Sequence, residues 1–431
     1  MAKRHQGQLK REVGPGGAIM MGLGSMIGTG IFVSIGIAAG MVGPAVMLAI
    51  LIAAFVAGCN ALSSAQLAAS HAVSGGTYEY GYRYLSPTLG FTAGWVFLCA
   101  KTASAATAAL GFAAYALRLT GGTPGLVPAL AVFAVAIFTL LILGGIRRSS
   151  SANIMIVSVT LLGLLAFVLF GAESAWPRRD SNLVPFFTLS GTPLASALLH
   201  SSALMFVAFA GYARIATLGE EITDPRRNIP RAIIATLLVS ALLYIGVAVV
   251  VVAILGAGGL ESIPGGHATP LELAARAMDR PLVARLVSIA AITAMLGVLL
   301  NLMLGLSRVV LAMGRQGDMP PALGRVSPEG RAPAAAVILV GLSIAALAFI
   351  GSIETAWSFS AFTVLVYYAI TNLAALRLPS EQRLYPRWVA ACGLVASLLL
   401  AFFVPVPIWA AGLVIILVGL LWKRFAPLLW A

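Results

Sequence analysis

The chain has 431 residues, of which 60% are hydrophobic and 10% are Asp, Glu, Lys or Arg, against about 25% charged in soluble domains; its mean hydropathy is +0.99. A water-soluble fold of this length could not hide so much apolar surface, so lipid must be part of its solvent. The net charge of +13 does not mark a nucleic-acid binder, because the basic residues stand in short clusters between long apolar runs, as in the loops of a multi-span protein.

About 20 apolar residues cross a bilayer core. Runs and breakers predict twelve spans, at 14–41, 44–69, 87–118, 125–145, 152–171, 193–217, 232–256, 282–313, 333–351, 355–377, 388–404 and 407–422. The basic start, Lys3-Arg4 and Lys10-Arg11, superficially resembles a signal peptide. The apolar run behind it continues to Gly43-Pro44, well beyond a signal core of about 7–15 residues, and is read as a retained first span. The loops are too short for a soluble domain, leaving one transmembrane domain over 1–431. Cys59, Cys99 and Cys392 each lie in an apolar run and are read as buried thiols, with no disulfide framework or metal site.

With both termini cytoplasmic, nineteen Lys and Arg fall on the cytoplasmic face and six on the other (Arg118, Arg178, Arg179, Arg276, Arg280 and Arg285). That bias predicts the orientation and a cytoplasmic-membrane location.

The first span carries ten glycines between Gly14 and Gly43, each costing a helix interior about 1 kcal/mol relative to Ala. Close packing of small residues explains one Gly-xxx-Gly. It explains Gly22-Leu23-Gly24-Ser25-Met26-Ile27-Gly28-Thr29-Gly30 less well, and an unwound stretch is expected there, beside a cavity or a ligand. Five spans later, Phe206-Val207-Ala208-Phe209-Ala210-Gly211-Tyr212 offers a second interruption. Paired breaks are the pattern of an inverted-repeat transporter. Half-helix ends at the midplane offer amides to an anion and carbonyls to a cation. A ligand carrying both a carboxylate and an ammonium suits such a site without any charged side chain.

Four motifs, in order, then resemble those of the amino acid–polyamine–organocation superfamily over essentially the whole chain. They are Gly24-Ser25-Met26-Ile27-Gly28-Thr29-Gly30-Ile31-Phe32, Ser74-Gly75-Gly76-Thr77-Tyr78, Gly219-Glu220-Glu221-Ile222-Thr223-Asp224-Pro225 continuing to Arg231, and Leu306-Ser307-Arg308 through Met319-Pro320. The resemblance implies an all-α polytopic protein of the leucine-transporter fold. Its 5+5 inverted repeat would comprise 14–171 and 193–377, with discontinuous helices 1 and 6, and two peripheral helices at 388–424. It further implies alternating access and an amino acid substrate. On the same basis Thr29 and Gly30, with Gly28 beside them, would offer amides to the substrate carboxylate. Met26, Val207, Ala208 and Ala210 would lie where carbonyls meet the ammonium, and Phe206 and Tyr212 would line or gate the pocket. These walls are apolar or aromatic, so a neutral substrate side chain is expected.

Two basic residues lie outside the loops, Lys101 and Arg214, and a charge at membrane depth costs about 2.5–3.5 kcal/mol on insertion scales. Arg214, three residues past Gly211, is either an inner-gate group or pairs with a loop acid such as Glu220 or Asp224. Lys101, near the middle of span three, is a neutral amine, a fixed charge or a proton carrier. Proton-coupled relatives carry a Lys in span five where Thr160 stands here, and Lys101 is hypothesised to take over that charge. Ser288 and Thr293 in span eight are available to a sodium ion, so coupling to a proton or Na+ stays open, as does exchange or export without an ion. Asn60, Gln66 and Asn301 are expected to bond helix to helix. An intramembrane enzyme is disfavoured because the spans hold no Asp and no His pair at ligand spacing, and a channel because paired breaks suit a midplane site. No cofactor and no nucleic-acid partner is expected, and a homo-oligomer or an accessory chain is left open.

Overall fold

The computed structural model describes residues 14–71, 75–145, 150–187, 193–216, 222–261, 269–326, 333–350 and 352–430. The N-terminal basic cluster, Arg147-Arg148, Ser74, Gly219–Glu221 and the tip of the 327–332 loop lie outside them. The described residues are helices joined by short turns, with no strand among them. Nine helical stretches among them are long and apolar enough to cross a membrane, and Ala334–Phe349 and Arg387–Ala401 are shorter apolar helices. The stretch Gly30–Ser70 is itself two helices meeting at a Gly43–Ala45 turn.

Each predicted span finds its helix. In chain order these are span 1 (Pro15–Met26 and Ile35–Val42), span 2 (Val46–Ser70), span 3 (Pro87–Thr120), span 4 (Val127–Leu143), span 5 (Ser150–Ala175) and span 6 (Leu194–Phe209 and Ala213–Ala216). Then come span 7 (Pro225–Glu261), span 8 (Pro281–Arg315), span 9 (Ala334–Ile350), span 10 (Ile353–Leu376), span 11 (Arg387–Ala401) and span 12 (Val406–Trp430). Span 7 starts at Pro225 and not at 232, because the Arg226–Arg231 charges end the apolar run without ending the helix. Near its far end Gly256 takes φ +69°, a conformation suited to glycine, and the Asn182 amide donates to the Ala253 carbonyl at 2.8 Å.

Local signals fix the ends. Ser86 caps span 3, its hydroxyl accepting from the Leu89 N–H at 3.2 Å ahead of Pro87, and Gly121 closes that helix at φ +73°. Both are standard start and stop chemistry. Spans 10 and 3 are the most enclosed, 78% and 67% buried, whereas span 12 is 11% buried. Spans 1 and 6 sit inside a wall made by spans 2, 3, 5, 7, 8 and 10. Phe55, Phe133, Leu140, Leu162, Leu242 and Phe349 are exposed on the outside; an apolar exterior of this extent marks a lipid-facing surface.

Polar ties pin the wall. Asn60 donates to Ser397 at 3.0 Å and accepts from Asn372 at 2.6 Å, joining spans 2, 10 and 11. Ser104 and Ser360 join spans 3 and 10 at 2.7 Å. The Gln66 side chain accepts from the Tyr385 N–H at 3.4 Å. Asn60 thus bonds helix to helix, as its place in the span predicts, whereas Gln66 ties span 2 to the turn before span 11. Asn301 differs: its side chain has no hydrogen-bond partner among the described residues, and it faces a cavity.

Candidate functional site

Span 1 leaves the α-helix at Ile27, whose φ/ψ is −81°/91°. Its N–H still bonds the Leu23 carbonyl at 2.7 Å. The chain re-enters at Thr29 and makes one wide π-turn, Gly30–Ser34, before the second half-helix begins. Such turns recur at functional sites. The Gly28 carbonyl accepts from Ile31 at 3.1 Å and from Phe32 at 3.2 Å. Thr29 is buried and its Oγ1 has no hydrogen-bond partner among the described residues. Burying a hydroxyl in that state costs about 1–3 kcal/mol.

Span 6 tightens to a 3₁₀ turn at Ala210–Tyr212 and resumes for Ala213–Ala216. The two interruptions meet. A Cβ on Gly30 would lie 2.7 Å from Ala208 Cα, and one on Gly211 would lie 2.7 Å from Met26 N. Backbone touches backbone at both points, so no side chain fits. Gly22 and Gly24, in contrast, lie in regular helix. Their Cβ positions fall 2.8 Å from Thr236 Oγ1 and 2.7 Å from Asn153 Oδ1, which is close packing on spans 7 and 5. Packing thus explains the first two glycines and the break explains the rest.

Three of the four carbonyls expected to meet an ammonium are held by tyrosines, and the fourth, that of Val207, accepts from the Ala210 N–H. The Tyr244 hydroxyl, from span 7, lies 2.8 Å from the Met26 carbonyl and 3.0 Å from that of Ala208, and its single proton serves one at a time. Tyr368, from span 10, donates to the Ala210 carbonyl at 3.2 Å. Its ring stands edge-on to Phe206 (centroids 5.5 Å, 86°) and tilted against Tyr212 (5.4 Å, 37°). Met26, Phe206, Val207, Ala208 and Tyr212 are all buried. The expected residues Met26, Gly28, Thr29, Gly30, Phe206, Val207, Ala208, Ala210 and Tyr212 therefore form one contiguous layer around the breaks. Tyr244, Tyr367 and Tyr368 escaped the sequence reading. Their signal was a hydroxyl inside an otherwise apolar span, which must find a partner.

A cavity of about 300 Å³ runs from this layer toward the end of the bundle that carries Arg308. Its floor at the break is Ser25, Ala210 and Gly211; its walls include Phe97, Val298, Asn301, Gly305, Tyr367 and Tyr368. Lys101, Arg214 and Arg308 all line it, and among the described residues no Asp or Glu does. Lys101 makes no hydrogen bond or ion pair among the described residues. The Glu220 proposed as a partner for Arg214 lies outside them. Thr160 is buried away from this cavity and its hydroxyl returns to the Ile156 carbonyl at 2.8 Å. Ser288 and Thr293 likewise bond their own helix, to Ala284 at 2.9 Å and Ile289 at 2.9 Å, and neither lines it.

Both ends of the bundle are tied by a short amphipathic helix. At the Arg308 end, the Thr77–Tyr84 helix between spans 2 and 3 presents Tyr78 and Tyr82, each donating at 2.7 Å to the buried Asp318 carboxylate. Lys423 of span 12 pairs with the same carboxylate. At the other end the Pro270–Ala277 helix between spans 7 and 8 presents Glu272, buried, which accepts from Arg118 of span 3 at 2.7 Å and pairs with Arg276. A smaller cavity of about 220 Å³ lies there, lined by Leu119, Glu272, Arg276, Ala284, Arg285 and Ser288 among others.

Comparison with known proteins supplies the family. The model described as amino acid permease matches residues 17–430. An uncharacterised transporter of Mycobacterium tuberculosis is 41% identical over 414 residues, covering 96% of this chain and 90% of the relative. The branched-chain amino acid permease of Bacillus subtilis is 28% identical over 399 residues (88% of this chain, 83% of the relative). The methylthioribose transporter of the same species is 26% identical over 427 residues (94% and 88%). Matched over nearly its full length, and built of apolar helices around two interrupted ones, the chain belongs to the amino acid permease family and is a multi-pass membrane transporter, not an enzyme.

Proposed function

We propose that the protein is a secondary transporter of neutral amino acids that works by alternating access around the meeting point of spans 1 and 6. The observation that carries this reading is the pair of backbone contacts, Gly30 on Ala208 and Gly211 on Met26, beside a cavity to which the described residues bring no acidic side chain. In this reading the carboxylate takes the amides of Thr29 and Gly30, with Gly28 adjoining, and the unpartnered Thr29 hydroxyl adds a donor. The ammonium takes the carbonyls now served by Tyr244 and Tyr368. Phe206 and Tyr212 close over the side chain. A cationic substrate is disfavoured by the three basic residues of the cavity, because like charges repel strongly in a low-dielectric setting.

The two short helices support a repeat. The Thr77–Tyr84 helix follows the second span and Pro270–Ala277 follows the seventh, as expected of units 14–171 and 193–377 related by inversion, with 388–424 outside them. The distribution of Lys and Arg supports a reading in which both termini and the larger cavity face the cytoplasmic side of a cell membrane. That cavity is then the path to the cytoplasm, and the Glu272 ties close the other end.

Counterflow in proteoliposomes tests the reading. Vesicles preloaded with one amino acid at a time are offered labelled alanine or leucine. Faster uptake with neutral amino acids inside, and not with lysine or spermidine, is the expected result. Adding pH or sodium gradients separates coupling to a proton or Na+ from plain exchange. No acceleration by any amino acid, from folded protein, refutes the proposal.

A further inference from the structure

We propose that the cavity between spans 3, 6 and 8 is a second binding site, for a small carboxylate, with Lys101 as its cation. It is distinct from the amide cradle at Thr29 and Gly30. The identification of its anion with the transported amino acid rests on the function proposed above; the site itself does not.

Lys101 stands fourteen residues after Pro87 in span 3, about 21 Å along the helix at about 1.5 Å per residue. Snorkelling to the near interface is out of reach for a side chain placed so deep. It faces the cavity and has no hydrogen bond or ion pair among the described residues. Among the described residues no Asp or Glu lines the chamber, while Arg214 and Arg308 add positive charge to it. An uncompensated cation at that depth is costly, and the described residues supply no counter-charge in the lining. A ligand can supply it.

The remaining walls suit a carboxylate. Asn301 lines the same cavity, also without a partner among the described residues, and its amide offers two donors. An ammonium and an amide together bind a carboxylate by charge-assisted hydrogen bonds. Beside them Gly305 leaves room, since a Cβ there would meet nothing within 4 Å. Phe97 and Tyr367, whose rings pack at 5.3 Å, give an apolar wall for an aliphatic tail. The chamber therefore favours a small organic acid with an apolar side chain and repels amines. A released amino acid meets Lys101 after leaving the amides, so its carboxylate passes from backbone donors to a side-chain cation on the way out.

The test uses the full-length protein and three probes, 4-methylpentanoate, isoamylamine and chloride. In purified protein, 4-methylpentanoate should raise the melting temperature while isoamylamine and chloride do not. The Lys101→Met variant should lose the effect, with the carboxylate's apparent affinity falling about tenfold or more, and Lys101→Arg should retain it. In counterflow, the same carboxylate supplied at the Arg308 face should inhibit the wild type at concentrations that leave Lys101→Met unaffected. Equal stabilisation by isoamylamine or chloride overturns the proposal, and so does undiminished carboxylate binding by Lys101→Met. A Lys101→Met variant that alters only the pH dependence of exchange would assign Lys101 to proton transfer and likewise overturn it. Should Lys101→Met not fold, Gly305→Leu, which fills the chamber, must weaken the carboxylate and not merely slow exchange. Lys101-dependent stabilisation without exchange of any amino acid would uphold the site and sink the transport reading alone.

Discussion

The Tyr244 hydroxyl lies 2.8 Å from the Met26 carbonyl, so span 7 satisfies the free C-terminal end of the first half of span 1. The same hydroxyl is 3.0 Å from the Ala208 carbonyl of span 6. One proton therefore arbitrates between the two broken helices, at the place where the proposed substrate would bring an ammonium. Replacing Tyr244 by Phe keeps the ring and removes the donor. Tyr244→Phe should destabilise the substrate-free protein by about 1–3 kcal/mol, the cost of an unsatisfied buried acceptor. A neutral amino acid should then raise the variant's melting temperature by more than it raises the wild type's. Thermal unfolding with and without substrate measures both.

Glycine is needed at Gly211 for a reason independent of helix propensity. A Cβ there meets Met26 N at 2.7 Å, and backbone cannot move aside as a side-chain tip can. Gly211→Ala should lower counterflow by about tenfold or more, since overpacking of a rigid contact costs about 1–3 kcal/mol. Gly58, in span 2, meets nothing within 4 Å; Gly58→Ala should leave transport unchanged and gain up to about 1 kcal/mol of helix stability. Equal losses for both variants would show that the first reflects generic sensitivity to added volume.

The fold was legible because lipid imposes a one-dimensional code: each span is a run long enough to cross, and each end carries charge or a breaker. The Phe402–Pro405 turn between Ala401 and Val406 falls where Pro405 and Pro407 announce it. Span 7 is longer than its apolar run because the helix continues through Arg226–Arg231. At the site, the break was legible in Ile27–Gly30 and Ala210–Tyr212, but Gly22 and Gly24 looked alike in sequence and serve packing. The partners on other spans, Tyr244, Tyr368 and Asp318, were not legible, since what a buried hydroxyl or carboxylate touches is set by tertiary structure. Conversely Lys101 stood out from a single letter, because a cation in that position has few innocent roles.

The Arg118–Glu272 pair at 2.7 Å closes the end opposite the larger cavity. Glu272 is 2% exposed and Arg118 43%, so the carboxylate is the buried partner and the exposed guanidinium is screened by water. Glu272→Gln should loosen the Pro270–Ala277 helix and let that end open more often. In a background lacking Cys59, Cys99 and Cys392, Leu119→Cys should react about threefold or more faster with a membrane-impermeant thiol reagent when Glu272→Gln is added, for about 0.7 kcal/mol of lost closure. An unchanged rate would mean that this pair does not hold the end shut.

Lys101 and Thr160 were both candidates for coupling, and the structure separates their surroundings. Lys101 lines the cavity, whereas Thr160 bonds its own helix at 2.8 Å. Thr160→Val should change counterflow by less than about twofold, the loss of one i−4 back-bond being worth little. Lys101→Met should raise the half-saturating substrate concentration at the Arg308 face by about tenfold. Rates measured from each face with both variants check the contrast.

The central claim is that one site at the meeting of spans 1 and 6 is reached in turn from the two ends of the bundle. Single cysteines report this most directly, Leu302→Cys in the larger cavity and Ala284→Cys in the smaller one, in the cysteine-free background and labelled from each face. A neutral amino acid should change labelling at the two positions in opposite directions, and lysine should change neither. Labelling that moves in the same direction at both positions, or that no amino acid alters, would contradict the account.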